Sequence, residues 1–323
     1  MTNGSVSPNR RTLLKAAGIG AASVASMPLL SACNAQPARR ASTTSPALLP
    51  APPGQVEPLL DLQAITNALA KLDEQADTAM ESTGLPGMAI AVVYRDEVVY
   101  SKGFGVREVG KPEKISPDTV FQLASVSKPL ASTVVAGVVG RKVINWADPV
   151  IQHNKGFSLK DDYVTQNATF ADSMSHRSGL RTGSGDLLED LGFDRAYILN
   201  HLNQQPLDTF RSSYNYSNFG FTEAGQAAAD AMRMSWEDLA DEVLFRKLGM
   251  SATSYRHSDY EKATDRAILH VPLGNKEWAA KYRRNPDAEA PAGGASSSVR
   301  DLAQWLRLQL GNGQFEGRPV IDP

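Results

Sequence analysis

The run Phe121-Gln122-Leu123-Ala124-Ser125-Val126-Ser127-Lys128 decides how this chain is to be read. From Val126 to Val139 apolar residues recur with a helical period, and Gly140 ends the pattern. Ser125 and Lys128 therefore sit three residues apart at the start of a helix. That spacing sets both side chains on one face, within reach of each other. A serine hydroxyl is a weak nucleophile until a neighbouring base takes its proton. A lysine can be that base when burial disfavours its ammonium form. The unpaired N–H groups and positive dipole end of the helix favour negative charge developing near Ser125. Ser127 is a competing hydroxyl, but its place next to Lys128 turns it to another face. Taken alone, the usual explanation of a Ser-x-x-Lys run is a solvated helix face or an N-cap.

Outward from this run the elements are mixed. Upstream, Ile65, Leu69, Leu72, Ala76 and Met80 recur at helical spacing and predict one helix with a buried stripe, ended by Gly84. Met88 to Tyr94 and Val98 to Tyr100 are β-rich and flank the polar turn Arg95-Asp96-Glu97, which predicts a hairpin. Gly103-Phe104-Gly105 closes its second strand and lacks the third glycine of a dinucleotide fingerprint. Downstream, a turn at Trp146-Ala147-Asp148-Pro149 leads into a mostly helical region that runs to about Leu248, broken near 176–186 and 205–220. The expected fold class is α+β: an antiparallel sheet flanked by helices, plus a helical lobe.

Composition narrows the function. The 323 residues are 42% hydrophobic and 21% charged, which excludes wholesale disorder. A net charge of -2 argues against a nucleic-acid partner. The single cysteine, Cys33, excludes an intramolecular disulfide and a cysteine-built metal site. His153, His176, His201, His257 and His270 show no metal-ligand spacing, and no metal or organic cofactor is expected. His176 reads as a loop-fixing hydrogen-bonding residue rather than a general base. No Gly-x-Ser-x-Gly elbow or phosphate-binding loop is present. Glu189-Asp190 reads as a solvated helix end.

A second run bears on the chemistry: Tyr214-Asn215-Tyr216-Ser217-Asn218. Tyr216 and Asn218 alternate in an extended or loop segment, so both can point the same way. A phenol beside a cationic lysine can carry a proton to or from a reacting atom. A carboxamide can hold a substrate amide. The plainer reading is a polar aromatic loop packed on the core.

Together these runs resemble the serine β-lactamase and penicillin-recognising family, in particular the class C β-lactamases with their related esterases and D-amino-acid peptidases. Further ordered matches are Ser116-Pro117-Asp118-Thr119-Val120-Phe121, Asp148-Pro149-Val150, His176-Arg177-Ser178-Gly179-Leu180, Leu244 to Met250, and Gly293-Gly294-Ala295 followed by Asp301-Leu302-Ala303. The resemblance covers roughly Gly84 to Arg318. It implies that Ser125 is the acylated nucleophile, Lys128 its base partner, Tyr216 a proton carrier and Asn218 a substrate-binding amide. It also implies a small acyl substrate: a β-lactam, an ester or a D-amino-acid amide. The family's third triplet, Lys-Thr-Gly or His-x-Gly, is absent from the 323 residues: either it is expected beyond Pro323, with the last strands, or the chain is a degenerate copy of the pattern. Arg181-Thr182-Gly183 precedes the tyrosine run and is not its counterpart. Two other readings stay open: a non-catalytic penicillin-binding or sensor protein on this fold, and a structural envelope lipoprotein.

Residues 1–33 read as an export signal. Arg10-Arg11 precede the apolar stretch Ala16 to Leu30, which resembles a twin-arginine signal. Leu30-Ser31-Ala32-Cys33 resembles a lipobox, with Cys33 as the lipidation site and hence a membrane anchor. Residues 34–58, with Pro37, Pro46, Pro50, Pro52, Pro53 and Pro58, read as an extended tether. The expected location is the periplasm or cell envelope, and the hydrolase domain is expected over 59–323.

Overall fold

The computed structural model describes residues 60–322. The export signal, Cys33 and the tether read from the sequence lie outside the described residues. Helices α1 (Leu62–Leu69) and α2 (Leu72–Thr83) stand where the sequence predicts one continuous helix. The break falls at Ala70 and Lys71. It separates α1, capped by Asp61, from α2, which Asp73 ties to the following hairpin by accepting from Tyr100 and Lys102. Gly84 closes α2 with φ 70°, a left-handed turn that glycine makes without a Cβ clash.

Strands β1 (Gly87–Tyr94) and β2 (Glu97–Gly105) pair antiparallel, as predicted. Their turn is Arg95-Asp96, both at positive φ (49° and 68°), the conformation that matches the right-handed twist of a tight hairpin. Glu97 already belongs to β2. Next comes β3 (Phe121–Gln122), then a single 3₁₀ turn, Ala124–Val126, and α3 (Ser127–Gly140).

The helical lobe follows: α4 (Val150–His153), α5 (Asp162–Asn167), α6 (Phe170–Met174), α7 (Asp186–Asp190), α8 (Arg195–Asn200) and α9 (Asn218–Met232). It continues through α10 (Trp236–Ala240), a π-helical turn at Asp241–Phe245, α11 (Arg246–Leu248) and α12 (His257–Lys262). Strands β4 (Val271–Gly274) and β5 (Glu277–Ala279) form a second hairpin. Then come α13 (Ala290–Gly293), β6 (Ser296–Ser297), α14 (Val299–Leu310), β7 (Gln314–Phe315) and β8 (Arg318–Pro319). Among the described residues every sheet is two-stranded. Helix α14 packs across β1 and β2, and its Arg307 holds the hairpin turn through Asp96 at 2.9 Å. The architecture is α+β, as the change of period along the sequence predicts.

The core centres on α3 and α9. Leu130, Ala131, Val134, Val135 and Val138 of α3 are fully buried, as are Phe219, Ala224, Ala227, Ala228 and Ala229 of α9. Each buried Leu, Val or Phe contributes about 1.5–3 kcal/mol. A Cβ on Gly225 would lie 2.7 Å from the Pro291 side chain, so only a glycine there lets α9 approach α13 this closely. That close approach fixes where the α13 backbone meets α3. The pair β3–β6, with Gln122 opposite Ser296, ties the chain entering α3 to the chain leaving α13.

A carboxyl is among the polar groups sealed in this core. Glu223 of α9 is fully buried and accepts from Asn154 Nδ2 at 2.6 Å. Burial pushes its carboxyl from the ordinary 4.5 up to about 8. The folded state therefore holds this proton more tightly than the unfolded chain. Its contribution to stability is full below about pH 4.5 and is lost as pH rises through about 8. Urea unfolding should show stability falling between about pH 5 and pH 8.5 by on the order of a few kcal/mol, and Glu223→Gln should flatten that slope.

Candidate active site

The chain enters the site under strain. Ala124 is held at φ 46°, in the left-handed region that a side chain disfavours. This turn presents Ser125 at the surface, while Lys128, one turn later, is only 8% exposed. The sequence places Ser125 at the start of the helix; in the structure it lies in the 3₁₀ turn leading into α3. The tighter turn keeps the i to i+3 relation, and the Lys128 ammonium donates to Ser125 Oγ at 3.3 Å. Ser127 turns inward: its Oγ accepts the Ala295 N–H at 2.9 Å, and its carbonyl accepts from the Tyr255 hydroxyl at 2.7 Å.

Lys128 has two further acceptors, Asn218 Oδ1 at 2.8 Å and the Ala292 carbonyl of α13 at 2.9 Å. Three acceptors match the three N–H donors of an ammonium. Its Nζ also lies 4.6 Å from the Tyr216 ring centroid and 5.7 Å from that of Phe221, so aromatic faces line the rest of its surroundings.

Tyr216 arrives on the loop before α9, and its hydroxyl is 2.6 Å from Ser125 Oγ. Ser217 caps α9 by accepting from Gly220 N at 3.1 Å, which makes Asn218 the first helical residue rather than part of an extended segment. The cap still leaves Tyr216 and Asn218 on the side facing Lys128. His176 holds the loop from beneath. Its Nδ1 accepts from Ser217 N at 3.2 Å, its carbonyl accepts from Asn215 N at 2.9 Å, and its ring lies 4.6 Å from that of Tyr216. Burial, followed by the nearby Lys128 charge, holds the His176 imidazole below its ordinary pKa. A neutral ring with an unprotonated Nδ1 fits its acceptor role.

Ser125, Lys128, Tyr216 and Asn218, distant in sequence, thus form one cluster. Cys33 lies outside the described residues. A second layer was not read from the sequence. Asp186, first residue of α7, has both carboxylate oxygens 3.5 Å from Asn218 Nδ2. Glu189, expected in solvent, has a side chain only 6% exposed and shares Arg284 with Glu289, each at 2.9 Å. Burial, then the Glu189 charge, pushes the Glu289 carboxyl up to about 7. The Asp186 and Glu189 carboxyls are also raised, chiefly by burial. Asp186 and Glu189 are three apart, one helical face, which is the signal that could have linked them. No periodicity could have shown that α13 buries Glu289 beside them. A Cβ at Gly293 would fall 2.3 Å from Glu289 Oε1, so the paired glycines make room for that carboxylate. A cleft of about 680 Å³ shares Glu189 with this layer, and its walls include Asp194, Arg195, Gln226 and Asp287 but not Ser125.

A serine and a lysine one helical turn apart, met by a tyrosine at the head of a second buried helix, are set here on a β-lactamase/transpeptidase-like fold. The chain belongs to the beta-lactamase family, whose sequence profile matches residues 72–322. It is 24% identical over 250 residues to Protein flp of Staphylococcus aureus (strain COL), covering 73% of this chain and 49% of that protein. It is 25% identical over 262 residues to Beta-lactamase-like protein 2 of Dictyostelium discoideum, covering 76% of this chain and 46% of that one. The chain spans about half the length of these curated relatives. The octameric penicillin-binding protein homologue from Pyrococcus abyssi shares the fold, with a TM-score of 0.67 at 21% identity, over 79% of this chain and 58% of that one.

The two serines separate by stability. Ser127→Ala leaves the buried Ala295 N–H without its acceptor and should lower unfolding free energy by about 1–3 kcal/mol. Ser125→Ala removes an exposed hydroxyl and should stay within about 0.5 kcal/mol of the parent in urea titrations.

Proposed function

We propose that the protein is a serine hydrolase that forms an acyl-enzyme on Ser125, with a β-lactam, an ester or a D-amino-acid amide as substrate. The observation that carries this reading is the contact of Ser125 Oγ with both Tyr216 Oη, at 2.6 Å, and Lys128 Nζ, at 3.3 Å. In the proposed reaction Lys128, as the free amine and together with Tyr216, takes the Ser125 proton. Ser125 Oγ then bonds to the carbonyl carbon, and the carbonyl π pair moves to its oxygen. Backbone N–H groups at the start of the turn, that of Ser125 included, are suited to hold the oxyanion. Collapse breaks the bond to the leaving group, which takes that proton back through Tyr216 as Lys128 returns to the free amine. Water then attacks the Ser125 ester, releasing the acid and restoring the hydroxyl. Asn218 is proposed to bind the substrate amide while its oxygen holds Lys128.

The test is acylation followed by turnover. Full-length protein should be labelled at Ser125 by a fluorescent penicillin or a fluorophosphonate, with the site read by peptide mass spectrometry. Lys128→Met or Tyr216→Phe should slow hydrolysis of nitrocefin or a p-nitrophenyl ester by roughly 10²–10⁴-fold. Labelling that persists in Ser125→Ala would overturn the reading. Labelling without turnover would assign instead a penicillin-binding or sensor role on the same fold.

We also propose export and lipid anchoring at Cys33, supported by the paired arginines, the apolar stretch and the lipobox-like run. Cys33→Ser should move the protein from the membrane fraction to the soluble fraction of the producing cell. An unchanged distribution would sink the anchor.

A further inference from the structure

The Asn218 amide stands between two groups of opposite charge. On one side is the Lys128 ammonium, which can only donate; on the other is the Asp186 carboxylate, which can only accept. The two ends of a carboxamide are nearly equal in size, so shape alone does not choose its orientation. Here the oxygen faces Lys128 at 2.8 Å and the nitrogen faces both Asp186 oxygens at 3.5 Å. Reversal would put NH₂ against the ammonium and oxygen against the carboxylate, two repulsive contacts at once.

The approach of Asp186 to this amide is built into the backbone. Gly183 and Gly185 have φ 77° and 94°, and a Cβ on Gly185 would lie 2.6 Å from the Phe219 ring. The chain thus passes tightly against the head of α9 and starts α7 beside Asn218. The same loop binds the tyrosine segment, with Gly183 N donating to the Tyr216 carbonyl at 3.3 Å. The sequence offers this Gly-Ser-Gly-Asp run only as a loop.

We propose that Asp186 is a positioning residue for the Ser125 reaction: its carboxylate fixes the Asn218 amide with the oxygen toward Lys128, and so aims the lysine at Ser125. This inference rests on the serine-hydrolase reading. The charged groups acting on Asp186 are Lys128 from α3, Arg284 from the segment before α13, and Asp190 on its own helix, with Glu189 and Glu289 beyond.

The experiment compares full-length wild type, Asp186→Asn and Asp186→Leu. One readout is the second-order rate of labelling by a fluorescent penicillin as a function of pH. Asp186→Leu should label roughly ten- to a hundred-fold more slowly at the wild-type optimum. Asp186→Asn keeps an acceptor oxygen and should recover most of that rate. Variants that label at the wild-type rate with the wild-type profile overturn the inference, as does a loss that simply tracks melting temperature. A second readout needs no activity: the side-chain amide proton and nitrogen resonances of Asn218. These should move in Asp186→Leu and move less in Asp186→Asn. If they stay fixed in both, the positioning role fails whether or not the protein labels. Failure of wild type to label at Ser125, with the Asn218 resonances responding as expected, defeats the hydrolase reading and retains only the Asp186–Asn218–Lys128 geometry.

Discussion

The whole arrangement depends on keeping one ammonium out of bulk water. A lysine head group withdrawn from solvent is costly unless each N–H finds an acceptor. The acceptors of Lys128 come from three parts of the chain: its own turn through Ser125, the head of α9 through Asn218, and α13 through Ala292. Displacing Asn218 or Ala292 leaves a donor unmet, whereas at the exposed Ser125 water can take the place of the hydroxyl. The packing of α3, α9 and α13 is therefore also the condition under which the lysine can lie beside the serine. Gly225 against Pro291 and Gly293 against Glu289 are the contacts that permit that packing.

Around this ammonium the charges are layered. Asn218 is neutral and touches it directly. Asp186 stands behind the amide, and Glu189 and Glu289 are bridged by Arg284. Carboxylates held back by a neutral amide stabilise the cation while leaving its remaining N–H free to meet a hydroxyl. Direct ion pairing would instead hold the lysine away from Ser125. The raised carboxyls of Asp186, Glu189 and Glu289 follow from the same withdrawal from water.

The parts of this structure legible in the sequence are those written in local spacing. The hairpin at Arg95-Asp96, the helix beginning near Val126 and the pairing of Ser125 with Lys128 all depend on residues a few positions apart. Tyr216 and Asn218 could be joined to that pair through ordered resemblance to a family, not through geometry. The break at Ala70-Lys71 was hidden because the apolar stripe runs on across it, and the contact that exploits it, Asp73 with β2, is long-range. Glu189 shows the same limit. Its neighbours in sequence are charged and suggest solvent, whereas its burial comes from Arg284 and Glu289, nearly a hundred residues away. Ser217 as a helix cap also shortened the segment expected to be extended, without moving Tyr216 or Asn218 off the site.

The left-handed backbone at Ala124 carries a consequence for how such a site drifts under mutation. A residue with a Cβ in that region costs about 1 kcal/mol or more, and glycine would relieve it. A search for thermostable variants would thus favour glycine immediately before the serine. The same change would widen the range of directions open to the hydroxyl, so robustness gained there would come at the expense of aim.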